Sequence, residues 1–253
     1  MKKISVSLCL ALIFVFGMEP RPSAAALADT IEQIKPAVVG VGTFQPTRRP
    51  RSKLLGTGFA VSGRYVLTNY HVAGVDLDKE NREHLIVFVG TGAKPKRLKA
   101  KLVKSDKVHD LAVLEVDFPI PSVRLSDTRV QREGTEVAFT GFPIGAVLGL
   151  YPVTHRGLIS SVTPIAIPSS ASKLLSANKI KRLRNPTLVY QLDATAYPGN
   201  SGSPLFLPET GEVIGILNMV HVKTTKEDVL SKPSGISFAI PIKHAVELIR
   251  SLP

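Results

Sequence analysis

The chain has 253 residues, a formal net charge of +12 and a single cysteine, and 44% of its residues are hydrophobic. This length is enough for one large or two small packed units with a sizeable core. The cysteine count excludes a disulfide scaffold and a cysteine-ligated zinc site, so stability must come from the core.

The N-terminus has the pattern of a cleaved signal peptide at 1–28. Two lysines precede an apolar run at 4–17, and a small-residue cleavage site ends at Ala28, with an alternative site ending at Ala26. The run is too short to span a bilayer comfortably. We therefore predict an exported protein, periplasmic or secreted, without stable membrane insertion; an uncleaved anchor is the alternative. Because Cys9 lies inside the signal, the mature chain would have no thiol.

Strand signals dominate residues 29–117. A short helix is predicted at 30–35, capped by Asp29 or Thr30 and stopped before Pro36. Apolar runs separated by Gly, Pro, Asn and charged turns then cover 37–44, 56–61, 65–68, 85–90, 98–104 and 111–116. Six short strands with turn signals between them predict a closed barrel. The basic, proline-containing stretch 45–53 is predicted to be a mobile loop.

A second series of strands follows a crossover at 118–132. Its runs cover 136–141, 153–162, 188–194, 203–207, 213–222 and 235–240, within a unit assigned to 133–241. An amphipathic pattern predicts a closing helix at 242–253. The fold class is therefore all-β, with two six-stranded antiparallel β-barrels, a short N-terminal helix and a C-terminal helix. The polar insert 164–186 is either a substrate wall or gate, or a disordered excursion.

The stretch 193–206, DATAYPGNSGSPLF, places Ser201 in a Gly-Asn-Ser-Gly turn between two apolar runs. Glycines on both sides permit backbone conformations in which neighbouring N–H groups point at one place, as an oxyanion hole requires. Ser201 is the candidate nucleophile, and the amides of Gly199 and Ser201 are the candidate donors. On this stretch alone, a surface turn rich in Gly and Ser explains the pattern equally well.

A base for Ser201 should be a histidine, because its ordinary pKa lies near neutrality. His71 directly follows a predicted strand and precedes a short helical turn, which places it at a strand end facing a cleft. His244, predicted on the exposed side of the closing helix, and His84, in a charged loop, are predicted not to take part. Asp110 leads into the apolar run 111–114 and is the candidate orienting carboxylate. A lone Asp before a strand is otherwise a turn residue.

The order His71, Asp110, Ser201, with a barrel separating the first two from the third, resembles the trypsin-like (chymotrypsin-fold) serine proteases, closest to the bacterial Deg/HtrA branch. The matching stretches are IEQIKPAVVGV, GTGFAVSGRYVLTNYHV, HDLAVLEV, GNSGSPLF, GEVIGI and GISFAIP, between residues 31 and 241. The resemblance implies His71 as general base, Asp110 as its orienter, Ser201 as nucleophile and the Gly199 and Ser201 amides as the oxyanion hole. It implies an endopeptidase acting on protein or peptide substrates, with no cofactor or metal.

Two departures from that family bear on function. Deg/HtrA proteases usually carry PDZ domains after the closing helix, and none is expected here, which argues against peptide-activated behaviour. Ser203 stands where the family typically has glycine, and GNSGSP is the form found in glutamyl endopeptidases of the same fold. Those enzymes read an acidic side chain with a histidine where this chain has Leu217, so glutamyl specificity is not expected.

The resemblance also implies which residues wall the specificity pocket. Thr195 lies near the place where trypsin itself carries an aspartate, and threonine leaves a substrate cation without a counter-charge. We therefore predict cleavage after small or medium apolar residues, with loop length as the alternative determinant. The implied substrate-binding residues are Thr195, Leu217, Asn218, Met219, Gly235 and Phe238.

Excess positive charge clusters at 48–53, 94–107 and 179–184. Such clusters could bind an anionic polymer, but no interleaved aromatic residues or nucleic-acid motif accompany them. We interpret them as solvated loop faces and expect no nucleic-acid partner. The alternative to a protease is a catalytically silent protease-like protein that uses these loops to bind an envelope or anionic partner. The oligomeric state is left open by the sequence.

Overall fold

The computed structural model describes residues 23–92, 95–144, 149–164, 187–218, 235–250 and 252. Most of the predicted signal peptide, most of the insert 164–186 and residues 219–222 of a predicted strand, including Met219, therefore lie outside the described residues. None of the helices within the described ranges is long and apolar enough to cross a membrane.

The chain enters the fold through helix α1 (Ser23–Ile34), which a 3-10 turn at Lys35–Ala37 follows. The helix begins seven residues before the predicted start at residue 30 and runs through the predicted cleavage site. Alanine has the highest helix propensity, so the alanine-rich sequence before Asp29 extends the helix backwards. Pro36 lies in the 3-10 turn, where its missing N–H costs little.

Twelve strands of the described chain form two closed antiparallel barrels, which confirms the predicted fold class. The N-terminal barrel consists of β1 (Val38–Phe44), β2 (Ser52–Ser62), β3 (Tyr65–Asn69), β4 (His84–Val89), β5 (Lys96–Asp106) and β6 (Leu111–Val116). The C-terminal barrel consists of β7 (Glu136–Gly141), β8 (Val153–Pro164), β9 (Leu188–Asp193), β10 (Pro204–Phe206), β11 (Val213–Asn218) and β12 (Ile236–Pro241). Helix α2 (Tyr70–Ala73) follows β3, and helix α3 (Ile242–Arg250) follows β12.

The two barrels share one connectivity. Hydrogen-bonded neighbours run β1-β2-β3-β6-β5-β4 in the first barrel and β7-β8-β9-β12-β11-β10 in the second. Within the first barrel, β3 pairs with β6 so that Asn69 lies opposite Leu111. This register brings the residues just after β3 beside the residue just before β6.

Alternation along the strands produces separate apolar layers. Val39 and Val41 point into the N-terminal barrel, and Phe139 and Leu192 belong to the core of the C-terminal barrel. A third cluster draws on both barrels and packs them directly against each other; its members include Val38, Phe59, Leu67, Phe142 and Phe206. Each fully buried large apolar side chain contributes about 1.5–3 kcal/mol.

The basic stretch predicted to be a mobile loop is instead a turn anchored by Arg48, and β2 begins at Ser52, four residues earlier than predicted. The Arg48 guanidinium donates to the Glu83 carboxylate over 2.6 Å and to the Thr43 hydroxyl over 3.0 Å. Arginine presents several donors in a fixed geometry, so one side chain can fix a short loop to two neighbouring segments.

The prediction that His244 lies on the exposed side of the closing helix is wrong. Helix α3 buries Ile242, Ala245 and Leu248, and the His244 ring stacks on His109, with ring centroids 3.8 Å apart and planes 15° apart. Both His244 ring nitrogens are buried and have no hydrogen-bond partner among the described residues. Sequence periodicity placed the helix correctly but could not show that another imidazole covers this position.

This burial predicts acid-sensitive stability. Burial lowers the pKa of His244 to about 4, and repulsion from His109 and Lys243 acts in the same direction against the opposing attraction of Asp106. Because this pKa lies below the ordinary value of about 6.5, the unfolded chain binds more protons between pH 6.5 and 4, so stability falls as the pH drops through this window. We expect a loss of about 1–2 kcal/mol, since the half-buried ring is partly screened by solvent.

Urea unfolding at pH 7 and pH 4.5 measures this loss. His244→Phe keeps an aromatic ring on His109 but cannot titrate, so its free energy of unfolding should change less with pH than that of the wild type. Equal pH dependence in the two proteins would show that His244 is not responsible.

Candidate active site

Backbone contacts at the end of β3 hold the predicted base and its orienter together. The carbonyl oxygen of Asp110 accepts from the Tyr70 N–H over 3.0 Å and from the Asn69 side-chain amide over 3.1 Å. Asp110 has φ +53°, a left-handed conformation that is uncommon outside glycine. Such conformations cluster at functional sites, where surrounding contacts maintain them.

The Asp110 carboxylate binds His71 with both oxygens. Oδ1 accepts from the His71 backbone N–H over 2.8 Å, and Oδ2 lies 2.6 Å from ring Nδ1. A carboxylate can only accept, so Nδ1 carries the proton and Nε2 is left as the proton acceptor. The His71 side chain is 39% exposed, which makes it accessible to a substrate.

Ser201 lies in the turn that joins β9 to β10. Two bonds close the turn, from Asn200 N–H to Tyr197 O and from Ser203 N–H to Asn200 O, both 3.0 Å. Gly199 has φ +103°, and a Cβ there would overlap the backbone of a neighbouring segment. Glycine is required at this position, as the sequence pattern predicted.

The two N–H groups predicted to form the oxyanion hole have no hydrogen-bond acceptor among the described residues. Neither Gly199 N–H nor Ser201 N–H donates a hydrogen bond to any described residue. The preceding carbonyl, Pro198 O, accepts from Ile144 N–H over 2.9 Å. Since the N–H and C=O of a trans peptide point in opposite directions, this bond turns the Gly199 N–H away from Ile144.

The loop that carries Ser201 docks against the barrel that carries His71. Ser201 O accepts from Thr57 N–H over 2.8 Å. A Cβ placed on Gly56 would lie 2.8 Å from Val72 Cγ2 and 2.9 Å from Ser201 O, so Ser201 and the turn that holds His71 are close neighbours. No hydrogen bond joins the Ser201 hydroxyl to His71, a contact that commonly tightens only when substrate binds.

The predicted pocket residues of the described chain fall into two groups. Thr195 is half-buried and lies in the segment that links β9 to Ser201. The N–H of the preceding residue, Ala194, donates to Gly235 O over 3.0 Å. Asn218 lies opposite Phe238 in the β11–β12 register, and both are half-buried.

Leu217 contributes differently from what the sequence suggested. Its side chain is fully buried in the core of the C-terminal barrel. Its backbone makes the contacts to the Ser201 loop, with Leu217 N–H donating to Ser203 O and Leu217 O accepting from Gly202 N–H, both 2.9 Å. The residue therefore supports the loop from behind.

Sequence reasoning missed a hydroxyl that connects the two barrels and a second hydroxyl that bonds to the same residue. The Thr57 hydroxyl donates to Gly199 O over 2.6 Å, and the Thr68 hydroxyl donates to Thr57 O over 2.6 Å. Both threonines lie within the family-like stretch GTGFAVSGRYVLTNYHV, but nothing in that pattern indicates that Thr57 has a partner 142 positions away.

These features define a class of protein: a chymotrypsin-like pair of β-barrels with a histidine–aspartate pair on one barrel and a glycine-flanked serine on the other. Residues 56–216 match the family described as trypsin-like peptidase domain, and the chain belongs to this family. The resemblance to trypsin-like and Deg/HtrA proteases is thereby confirmed, whereas the glutamyl-endopeptidase-like features gain no support.

Curated relatives include serine proteases from several bacteria. The chain is 32% identical over 209 residues to a probable periplasmic serine endoprotease DegP-like of Pseudomonas putida, covering 81% of this chain and 36% of the relative. It is 30% identical over 239 residues to the serine protease Do-like HtrA of Bacillus subtilis, covering 86% and 46%. The chain thus spans about a third to a half of the length of these relatives.

Solved structures of proteases are also similar to this chain. The HtrA-type protease AlgW with tripeptide superposes with a TM-score of 0.62 at 29% identity, over 89% of this chain and 62% of that chain. The serine endoprotease from Yersinia pestis superposes with a TM-score of 0.60 at 27% identity, over 88% and 65%.

Proposed function

We propose that this protein is an exported serine endopeptidase that hydrolyses peptide bonds through Ser201, His71 and Asp110. The observation that carries the proposal is the two-point bond between Asp110 and His71, at a strand end beside the Ser201 loop. An intact pair of this kind supports catalysis over a silent binding role, because a binding protein does not need an oriented base. The relatives named periplasmic serine endoproteases support export.

In this mechanism Ser201 Oγ attacks the substrate carbonyl while its proton passes to His71 Nε2. The negative oxygen that forms accepts from the Gly199 and Ser201 amides. Asp110 stabilises the charged imidazole through Nδ1–H. The C–N bond then breaks, His71 gives its proton to the leaving amine, and water releases the acyl group by the same steps.

The proposed substrates are proteins or peptides cleaved after small or medium apolar residues. Thr195 carries no charge, and Phe238 presents a half-buried aromatic ring. A buried substrate cation or anion would have no counter-charge among these side chains, at a cost of several kcal/mol.

Hydrolysis of a peptide library, with products identified by mass spectrometry, tests both activity and preference. We expect cleavage by the wild type mainly after residues such as Ala, Val or Leu, and none by Ser201→Ala. Cleavage dominated by Lys, Arg or Glu would contradict the preference, and a folded wild type that cleaves nothing would contradict the activity.

A further inference from the structure

We infer that Thr57 is a positioning residue for the oxyanion hole, so that a hydroxyl of the N-terminal barrel sets the geometry of the nucleophile loop in the C-terminal barrel. The inference rests on the proposed function of Ser201. Thr57 lies in β2, at the contact between the barrels, and is fully buried.

The Thr57 hydroxyl joins two segments of the C-terminal barrel. Oγ1 donates to the Gly199 carbonyl oxygen over 2.6 Å and accepts from the Phe142 backbone N–H over 3.0 Å. A hydroxyl has one proton to donate and lone pairs to accept, so a single group makes both bonds. An apolar side chain of the same shape can make neither.

The bond to Gly199 acts on a peptide plane next to a proposed oxyanion donor. The carbonyl of Gly199 and the N–H of Asn200 belong to one plane, and the Asn200 N–H donates to Tyr197 O. Thr57 therefore holds one edge of this plane while Tyr197 holds the other. Glycine offers little intrinsic resistance to rotation about its own backbone bonds, so the orientation must come from such contacts.

The peptide plane between Pro198 and Gly199 depends on the other hydrogen bond of Thr57, which its hydroxyl accepts from the Phe142 N–H. That plane carries the Gly199 N–H itself and is held by Ile144 N–H donating to Pro198 O over 2.9 Å. Ile144 has φ +49°, an unfavourable conformation for a β-branched residue. Since the surroundings must maintain such a conformation, the anchor that Thr57 provides at Phe142, two residues earlier, supports it.

Backbone contacts of Thr57 remain when its side chain is changed. Its N–H donates to Ser201 O, and its carbonyl accepts from the Thr68 hydroxyl. A substitution that removes only the hydroxyl therefore frees the planes around Gly199 while the barrels stay docked. Because the negative oxygen exists only after attack, loss of an aligned donor lowers kcat and leaves KM nearly unchanged.

The variants Thr57→Val, which replaces the hydroxyl by a methyl group, and Thr57→Ser, which keeps the hydroxyl, test this role. Thr43→Val is the matched control, because Thr43 is a buried threonine of the same barrel whose hydroxyl binds Arg48 instead of the loop. Thermal unfolding of each variant establishes that it is folded, and Thr57→Ala is a second hydroxyl-free variant in case valine unfolds the protein.

With a peptide substrate, we expect Thr57→Val to lower kcat by about 10- to 100-fold with KM within about twofold, somewhat less than the loss of a whole oxyanion donor. Thr57→Ser should stay within about threefold of the wild type, and Thr43→Val should match the wild type. Binding of a peptide boronic acid, which forms a tetrahedral adduct on serine, should weaken in parallel with kcat.

Three results would overturn the inference. If Thr57→Val had the same kcat as Thr43→Val, the Thr57 hydroxyl would not be needed. If Thr57→Val and Thr57→Ser lost kcat equally, the effect would come from packing and not from the hydroxyl. A folded wild type without hydrolysis would overturn the proposed function and this inference together, whereas the first two results leave the proposed function intact.

Discussion

Replacing Ser201 by alanine will lower kcat/KM for a peptide substrate by about 10⁵- to 10⁶-fold while the protein stays folded. The acyl-enzyme cannot form without the hydroxyl, and only the oxyanion hole and substrate binding remain to accelerate hydrolysis. Ser201 is only 7% exposed, but the substitution removes a single oxygen atom and should hardly affect packing. Steady-state kinetics with a fluorogenic peptide, together with thermal unfolding, measure both quantities.

Ser62→Ala is the control for this change, because Ser62 is exposed at the end of β2. It should behave as the wild type. If Ser201→Ala kept more than about 1% of wild-type activity, the nucleophile would have to be another group.

Asp110→Asn will lower kcat by about 10⁴-fold, the second largest effect we expect. An amide nitrogen facing ring Nδ1 donates instead of accepting, so it favours the tautomer in which Nε2 already carries the proton and cannot take one from Ser201. The geometry that predicts this is the bond from ring Nδ1 to Asp110 Oδ2, 2.6 Å long.

Asp106→Asn provides a matched control four residues away. Asp106 also binds a histidine Nδ1, that of His109, at 2.5 Å. Burial alone would raise the pKa of Asp106, but the side-chain and backbone hydrogen bonds from His109 outweigh it and lower that pKa below its ordinary value. Because the His109 ring stacks on His244 of the closing helix, Asp106→Asn should keep kcat within about threefold of the wild type. Equal losses of kcat in Asp110→Asn and Asp106→Asn would show that Asp110 has no special role in catalysis.

The strands could be predicted because their signals are local. Alternating apolar residues and the turn residues between them identified all twelve strands of the described chain, with most boundaries within two residues. The start of α1 was predicted too late because the alanine-rich stretch was assigned to the signal peptide. The start of β2 was also predicted too late, because basic residues such as Lys53 were assigned to a loop.

The site was only partly predictable. His71 and Ser201 were predicted as base and nucleophile from their strand-end and glycine-turn contexts, and the resemblance to trypsin-like proteases implied the same pairing. The bond between Thr57 and Gly199 links residues 142 positions apart, and the stacking of His244 on His109 depends on where the closing helix docks. Such contacts are consequences of packing, and no local pattern in the sequence encodes them.

In the proposed mechanism, an oriented imidazole on one barrel activates a serine on the other. Labelling with a fluorophosphonate probe, followed by peptide mapping, measures the reactivity of the Ser201 hydroxyl. We predict one adduct per chain, located on Ser201, formed rapidly by the wild type and strongly slowed in His71→Ala. A folded wild type that stays unlabelled, or an adduct on another residue, would contradict the account.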